Sequence, residues 1–364
     1  MNRAYKLNEI HVKGYKSIKD QKISLSKLNI LIGQNGAGKS NFISIFKFLR
    51  NIIEGRLKNV SQSAGAESLL YYGSKETSRI FINLDFDPNY YEILLQPSIN
   101  SDTLFVEKEY CGYWGDKSYP EPYWEYTTNS EEESQLPKKI KSSKIANYVY
   151  WILRDWRVYH FHDTSESAGV KKYASMADNK FLFEDASNLA PFLYLMKETQ
   201  EEYYERLVKT IKLVIPFFKG FVLEPNPFNE EIIRLEWQDI HSEKIFTAND
   251  FSDGSLRFIC MATLLLQKNL PRIVLLDEPE LGLHPTAISI LAGLLRKATN
   301  RAQVIVSTQS VNLVNEFEPE DIIVVEHKEA ETIFNRLEFE KLEDWLENYS
   351  LGDLWDKNVI GGKP

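Results

Sequence analysis

Near the start of the chain, Gly33-Gln-Asn-Gly-Ala-Gly38-Lys39-Ser40 fits the pattern G-x-x-x-x-G-K-[ST], a spacing suited to holding phosphate. Glycines let the backbone wrap closely around an anion, and the exposed N–H groups of a helix N-terminus favour negative charge. Lys39 can reach the β- and γ-phosphates, and the Ser40 hydroxyl can ligate Mg2+. Gly33, Asn35, Gly36, Ala37, Gly38 and Asn41 complete the expected cradle. Far downstream, Arg272-Ile-Val-Leu-Leu276-Asp277-Glu278-Pro279 is an apolar run that ends in adjacent carboxylates. There Asp277 would hold Mg2+ together with Ser40, while Glu278, on the other side of the strand end, would orient or deprotonate an attacking water. Acids at a strand end can also cap the next helix, but beside a phosphate loop the metal and water roles take precedence.

These groups need elements to position them. Residues 28–32 form a short apolar run that stops at a glycine, so a buried strand feeds the Gly-rich turn. Phe42, Ile45, Phe46, Leu49, Ile52 and Ile53 then recur at intervals of three and four, which predicts a helix from Lys39 to about Glu54. Short strands are expected at 7–12 and 22–25, and Ile80, Ile82, Leu84 and Phe86 alternate as a half-buried strand should. Residues 87–136 are rich in Tyr, Trp, Pro and acid and lack a helical period, so they read as an insertion of strands and loops. Helices are expected at 138–151, 188–218 and 256–267, the middle one with Leu207, Ile211 and Val214 on one face. Apolar strands at 273–276, 304–306 and 322–325 alternate with helical segments, which argues for a parallel sheet.

The 364 residues are 43% hydrophobic and 26% charged, which excludes disorder and collagen-like repeats. Lys and Arg number 43 against 52 Asp and Glu, a net charge of −9, so no global basic field draws the chain to nucleic acid. Two distant cysteines, Cys111 and Cys260, make no disulfide framework and suit a reducing compartment, so the chain reads as cytoplasmic. The first residues lack an apolar signal region, and the longest apolar run, 258–266, is about half of what a membrane span needs.

Between the two chemical segments lies Phe251-Ser252-Asp253-Gly254-Ser255, and Asp277-Glu-Pro-Glu-Leu-Gly-Leu-His284-Pro285 extends the carboxylate strand. In order and content these motifs resemble the ABC-type ATPases of the RecF, SMC and overcoming-lysogenization-defect group. The endings Leu351-Gly-Asp-Leu-Trp355 and Gly361-Gly362 resemble those of its stand-alone bacterial members. The resemblance implies an α/β P-loop ATPase head with a β-rich lobe, a mid-chain insertion and a helical lobe. Its parts would be an N-terminal half over residues 1–86, an insertion and arm over 87–220, and a C-terminal half over 221–364. It also implies that Ser252 and Gly254 of one subunit close over the γ-phosphate of nucleotide held by another, and hence a homodimer or higher homo-oligomer. Hydroxyl-opened helix ends are also routine caps, so Ser252 could serve as one, and the two roles can coexist.

Two departures stand out. Where the group carries a switch histidine after the next strand, this chain has Val304-Ile-Val-Ser-Thr308-Gln309-Ser310. Gln309 can sense phosphate or water but cannot carry a proton, so slow hydrolysis is expected. No clean Q-loop glutamine is found either; Trp156-Arg-Val-Tyr-His160-Phe-His162-Asp163 occupies that topological place. His160 and His162 could bind metal, but without a third ligand a packed pair is favoured. Lys16-Ser17 sits where related ATPases place a basic residue near nucleotide.

A TOPRIM nuclease is not expected in the short segment after residue 325, and 87–250 lacks sustained heptads. The lysines at 138, 139, 141, 144, 171 and 172 could line a DNA groove, though a solvated helix face is favoured. For the aromatics between Tyr110 and Tyr126, core packing is favoured over stacking bases or docking a protein. The reading is an ATPase, with ATP and Mg2+ as cofactors, that closes as a dimer and regulates a separate effector in bacterial anti-phage defence. The alternative is a RecF-like DNA-binding ATPase of repair.

Overall fold

The computed structural model describes residues 6–99 and 101–363. Three strands open the chain: β1 (Glu9–Tyr15), β2 (Ile18–Ser24) and the wholly buried β3 (Leu28–Ile32). The helix α1 (Lys39–Ile53) begins on the residue its periodicity predicts, with every apolar position of the expected stripe buried. Two short helices, α2 (Leu57–Ala64) and α3 (Ala66–Leu69), lead to four strands, β4 (Ile80–Asp85), β5 (Asn89–Pro97), β6 (Leu104–Tyr113) and β7 (Tyr123–Glu131). Then come α4 (Leu136–Lys139), α5 (Lys144–Arg154), β8 (Arg157–Tyr159) and β9 (Ala174–Ser175). Next are α6 (Leu189–Thr199), α7 (Glu201–Val214) and the small strands β10 (Phe218–Val222), β11 (Ile232–Ile233), β12 (Glu236–Asp239) and β13 (Ile245–Thr247). The C-terminal part holds α8 (Asp253–Leu266), β14 (Ile273–Asp277), α9 (Pro285–Ala298), β15 (Gln303–Thr308), α10 (Val311–Val314), β16 (Ile322–Lys328), β17 (Glu331–Arg336), α11 (Glu343–Leu346) and α12 (Leu351–Asp356).

Two six-stranded sheets organise these elements. The core sheet runs β17-β16-β3-β15-β14-β8, parallel except for the β16–β17 hairpin. Its central strands are nearly continuous apolar runs because helices cover both faces. The second sheet, β2-β1-β4-β5-β6-β7, is antiparallel and alternates buried with exposed positions, as in Ile80, Ile82 and Leu84 of β4. Residue 86 lies between β4 and β5, hydrogen-bonded neighbours in that sheet, and β8 places 157–159 beside β14. Between the sheets, Trp156 is 1% exposed and packs on Phe46 of α1 and on Phe86 just after β4.

Some expected helices divide. The 188–218 stretch breaks at Gln200, where the backbone leaves helical geometry, and Phe218 already belongs to β10. The 138–151 stretch breaks before Ser143, whose hydroxyl accepts from the Ala146 N–H and starts α5 afresh. The aromatics after β6 do not pack into a core: Tyr119 and Tyr123 are 66% and 64% exposed at the β6–β7 hairpin, although Cys111 within β6 is buried. Of the two thiols, burial pushes that of Cys260 up to about 12 and that of Cys111 higher still. Among the described residues no helix is long and apolar enough to cross a membrane.

Because Trp156 joins the two sheets from a fully enclosed position, Trp156→Ala should lower the unfolding free energy by about 3–5 kcal/mol, read from denaturant midpoints.

Candidate functional site

Parallel pairing sets the site. In register, Asp277 lies opposite Ser307 and Thr308 opposite Ile32, so the loops after β3, β14 and β15 leave the sheet at one edge. On the first of these, Gly33, Gly36 and Gly38 all have positive φ (153°, 77° and 112°). Closeness matters as much as torsion here. A Cβ on Gly33 would lie 2.2 Å from the Val325 carbonyl, and one on Gly38 would lie 2.2 Å from Thr332 Oγ1. Thr332, on β17, donates to the Ala37 carbonyl at 2.9 Å and lies 2.7 Å from Ser17 Oγ, which accepts from Asn41 at 2.7 Å. The loop is thereby braced from β17 and from the β1–β2 turn. Asn35, Gly36 and Ser40 stay exposed, with Ala37, Gly38 and Lys39 buried beneath them.

Lys39 Nζ donates to the carbonyls of Gly33 at 2.5 Å and Gln34 at 3.1 Å. Burial lowers its pKa, and the negative fields of Glu278, Asp277 and Glu280 oppose that shift. Three carboxylates thus face the phosphate-loop lysine. Asp277 Oδ1 accepts from Ser307 Oγ at 2.6 Å, while Oδ2 has no protein hydrogen bond among the described residues. An acid with one oxygen pinned and the other available, at the edge where Ser40 is exposed, fits a hydrated Mg2+. Glu278 adopts φ 44°, a left-handed backbone that is costly for such a residue, and its side chain accepts from the Gln309 amide. The amide of Gln309 therefore orients this carboxylate.

The structure adds residues to which the sequence assigned no role. Glu280 is 9% exposed; its Oε1 accepts from Thr308 Oγ1 at 2.5 Å and, among the described residues, its Oε2 has no partner. Burial raises its pKa, and the neighbouring Glu278 adds to that. Thr332 gave no local signal, being far from the loop it braces. Arg257, on α8, donates to the carbonyls of His162 at 2.8 Å and Leu281 at 3.1 Å, tying α8 to the loops after β8 and β14. His162 Nε2 meets the Asp277 carbonyl at 2.7 Å, and His160 is held below the usual imidazole range by burial.

Ser252 and Gly254 stand apart from this group. Ser252 is exposed and caps α8, accepting from the Ser255 N–H at 3.2 Å. A Cβ on Gly254 would lie 2.3 Å from the Gly282 carbonyl, so glycine is required there for packing within one chain. Among the described residues no hydrogen bond joins either residue to 33–41.

With this geometry in view, a family model described as "AAA domain, putative AbiEii toxin, Type IV TA system" matches residues 28–315. An ATP/GTP phosphatase of Helicobacter pylori is 23% identical over 314 residues, 78% of this chain and 79% of that protein. The tungstate uptake system ATP-binding protein TupC of Campylobacter jejuni is 36% identical over 98 residues, 26% of this chain and 24% of that protein. In three dimensions the chain is similar to an SmcHead bound to the C-winged helix domain of ScpA, with TM-score 0.57, 16% identity and coverage of 92% of this chain and 99% of that one. A Pyrococcus furiosus Smc head domain with an extended coiled coil gives TM-score 0.50 at 15% identity, over 94% and 98% of the two chains.

The Gly254 contact yields a prediction. Even Gly254→Ala should cost about 1–3 kcal/mol, because a backbone carbonyl cannot yield as a flexible side chain can. Thermal unfolding of the purified variant measures it, and the loss should be present at every protein concentration.

Proposed function

This chain belongs to the AAA-domain family of ATPases, and we propose that it works as a nucleotide-driven switch that closes as a homodimer and controls a separately encoded effector. ATP would bind along Gly33, Asn35, Gly36, Ala37, Gly38, Lys39, Ser40 and Asn41, with Lys39 turning from the loop carbonyls to the β- and γ-phosphates. Ser40 and Asp277 would hold Mg2+, which supplies charge neutralisation on the phosphates. Glu278 would take a proton from the attacking water. Gln309 would hold that carboxylate in place and contact the γ-phosphate, without a proton-carrying role of its own.

The observation that carries the hydrolytic reading is the pairing of Glu278 with Gln309 at the sheet edge that presents Lys39. Closure across two copies is supported by the exposure of Ser252 at the start of α8. Segment 87–220, between the two halves of the head, supplies β8 to the core sheet and β5 to β7 to the second, antiparallel sheet, a direct route for passing closure outward. A role in bacterial anti-phage defence is supported by the family description of a type IV toxin–antitoxin component. The exposed lysines of α4 and α5, Lys138, Lys139 and Lys144, favour the second reading, an ATPase that responds to DNA.

Lys39→Ala should abolish ATP binding in calorimetry; retained affinity would place the nucleotide elsewhere. Glu278→Gln should bind ATP with Mg2+ yet hydrolyse it at least about tenfold more slowly, and accumulate dimer in sedimentation. For action in trans, Ser252→Arg is the better partner variant than one at Gly254, whose glycine is needed within the chain. Mixed with Lys39→Ala, it should restore partial turnover through the one composite site in which both residues are native. Turnover raised several-fold by duplex DNA would favour the repair reading over the effector switch.

A further inference from the structure

The outer face of the antiparallel sheet carries a group of aromatic rings that takes no part in the site at the core-sheet edge. Two neighbouring rows cross the strands, each residue opposite the next: Asp85, Tyr90, Gly112 and Trp124 in one, and Asn83, Glu92, Tyr110 and Tyr126 in the other. Leu84, Tyr91 and Cys111 between them are buried on the opposite face, so strand alternation turns both rows outward. Glycine is required at 112, because a Cβ there would lie 2.8 Å from the Trp124 ring that covers it. Ring centroids lie 5.1 Å apart for Tyr110 and Tyr126, 6.4 Å for Tyr110 and Trp124, and 6.1 Å for Tyr90 and Trp124. Trp124 and Tyr126 are nonetheless 36% and 47% exposed, and contiguous apolar surface left open in this way marks interaction sites.

At one end of this surface the chain itself shows what the rings can hold. Lys117 Nζ, from the β6–β7 hairpin, lies 4.2 Å from the Trp114 ring centroid and 5.7 Å from that of Tyr90, and pairs with Asp87 at 2.9 Å. A cation is thus gripped between ring faces and a carboxylate. The row beside it has the same parts without the cation. Glu92 stands opposite Tyr110, and its carboxylate accepts from Asn83 Nδ2 at 3.2 Å but makes no ion pair among the described residues. Burial raises its pKa, and His11, two strands away, is bound to Asp20 at 2.7 Å. Around the rings, Asp85, Asp87, Glu92 and Asp116 outnumber Lys117 and Lys108.

We propose that this face docks a basic segment of a partner protein, with an arginine or lysine seated against Glu92 and the Tyr110–Tyr126 pair as Lys117 is seated against Asp87, Trp114 and Tyr90. Arginine suits the place best, since its planar guanidinium stacks on rings while donating to a carboxylate. Charge selects this occupant over a single nucleic-acid strand, which would also stack on rings but requires a positive groove for its phosphates. The surface is separate from the nucleotide site: β5 to β7 form the end of the sheet opposite β2, whose turn with β1 braces the phosphate loop.

The test is fluorescence anisotropy of the full chain with a short labelled peptide of alternating arginine and serine. That peptide should bind, and one of alternating glutamate and serine should not. Glu92→Gln and Tyr126→Leu should each weaken the arginine peptide several-fold, the scale of a cation–π contact or a partly buried ion pair. Tyr126→Phe, keeping the ring, should bind as the native chain does. Glu205→Gln removes the same charge from an exposed position on α7 and should change nothing. Absence of binding by the native chain would overturn the proposal. Equal weakening by Glu92→Gln and Glu205→Gln would also overturn it, by reducing the effect to attraction between a basic peptide and an acidic protein. If Tyr126→Leu fails to fold, the comparison of Glu92→Gln with Glu205→Gln still decides. Tighter binding of labelled oligothymidylate than of the arginine peptide would overturn it in favour of a single-stranded nucleic-acid site.

Discussion

Parallel pairing of β3 between β16 and β15 is the constraint on which the rest of this molecule depends. Parallel strands point their C-terminal ends to one edge, and that edge therefore gathers loops drawn from distant parts of the chain. Registers of a single residue matter, because Asp277 must stand across from Ser307 for the hydroxyl to pin one carboxylate oxygen. A slip by one position would turn Asp277 to the opposite face and separate it from Lys39. The long buried runs of β3, β14 and β15 guard against such a slip, since each would have to exchange apolar contacts on both faces at once.

Around that edge the structure spends conformational strain and buried charge in a small volume. Glu278 holds a left-handed backbone, Glu280 is enclosed with one oxygen unpartnered among the described residues, and Lys39 is desolvated among the three acids. Each is unfavourable alone. Together they leave a lysine whose nearest hydrogen-bond acceptors are loop carbonyls, weaker partners than a polyphosphate would be, and a carboxylate oriented by a neutral amide. Of these groups the desolvated lysine is the one that an anion would satisfy, while the acids call for a cation beside it.

The connections outward run through few residues. Arg257 ties α8 to the loops after β8 and β14, while Thr332 ties the β16–β17 hairpin to the phosphate loop. At the C-terminal end of the described chain, the Trp355 indole donates to the Gly362 carbonyl at 2.5 Å, and the backbone of Gly362 lies against Gly33. The phosphate loop is thus touched by the β1–β2 turn, by β17 and by the final residues, so a change in its shape is felt by segments from both ends of the sequence.

Local pattern alone determined the phosphate loop, the strand before it, the α1 stripe and the carboxylate-ending strand, because each is set by neighbours within a few residues and a period of two or 3.6. The resemblance carried the motif order that those pieces share with ABC-type heads. Beyond the reach of local pattern lay everything set by long-range contact. The break at Gln200, the continuity of one sheet across residue 86, and the exposure of Tyr119 and Tyr123 follow from packing that no window of sequence contains. Glu280 stood in plain view within its motif, yet only the enclosure beside Thr308 and Gln309 gives it chemistry. Thr332 carries no signature at all. Its position against the phosphate loop was decided by tertiary structure, since a hydroxyl acquires a role only from what the fold brings to it.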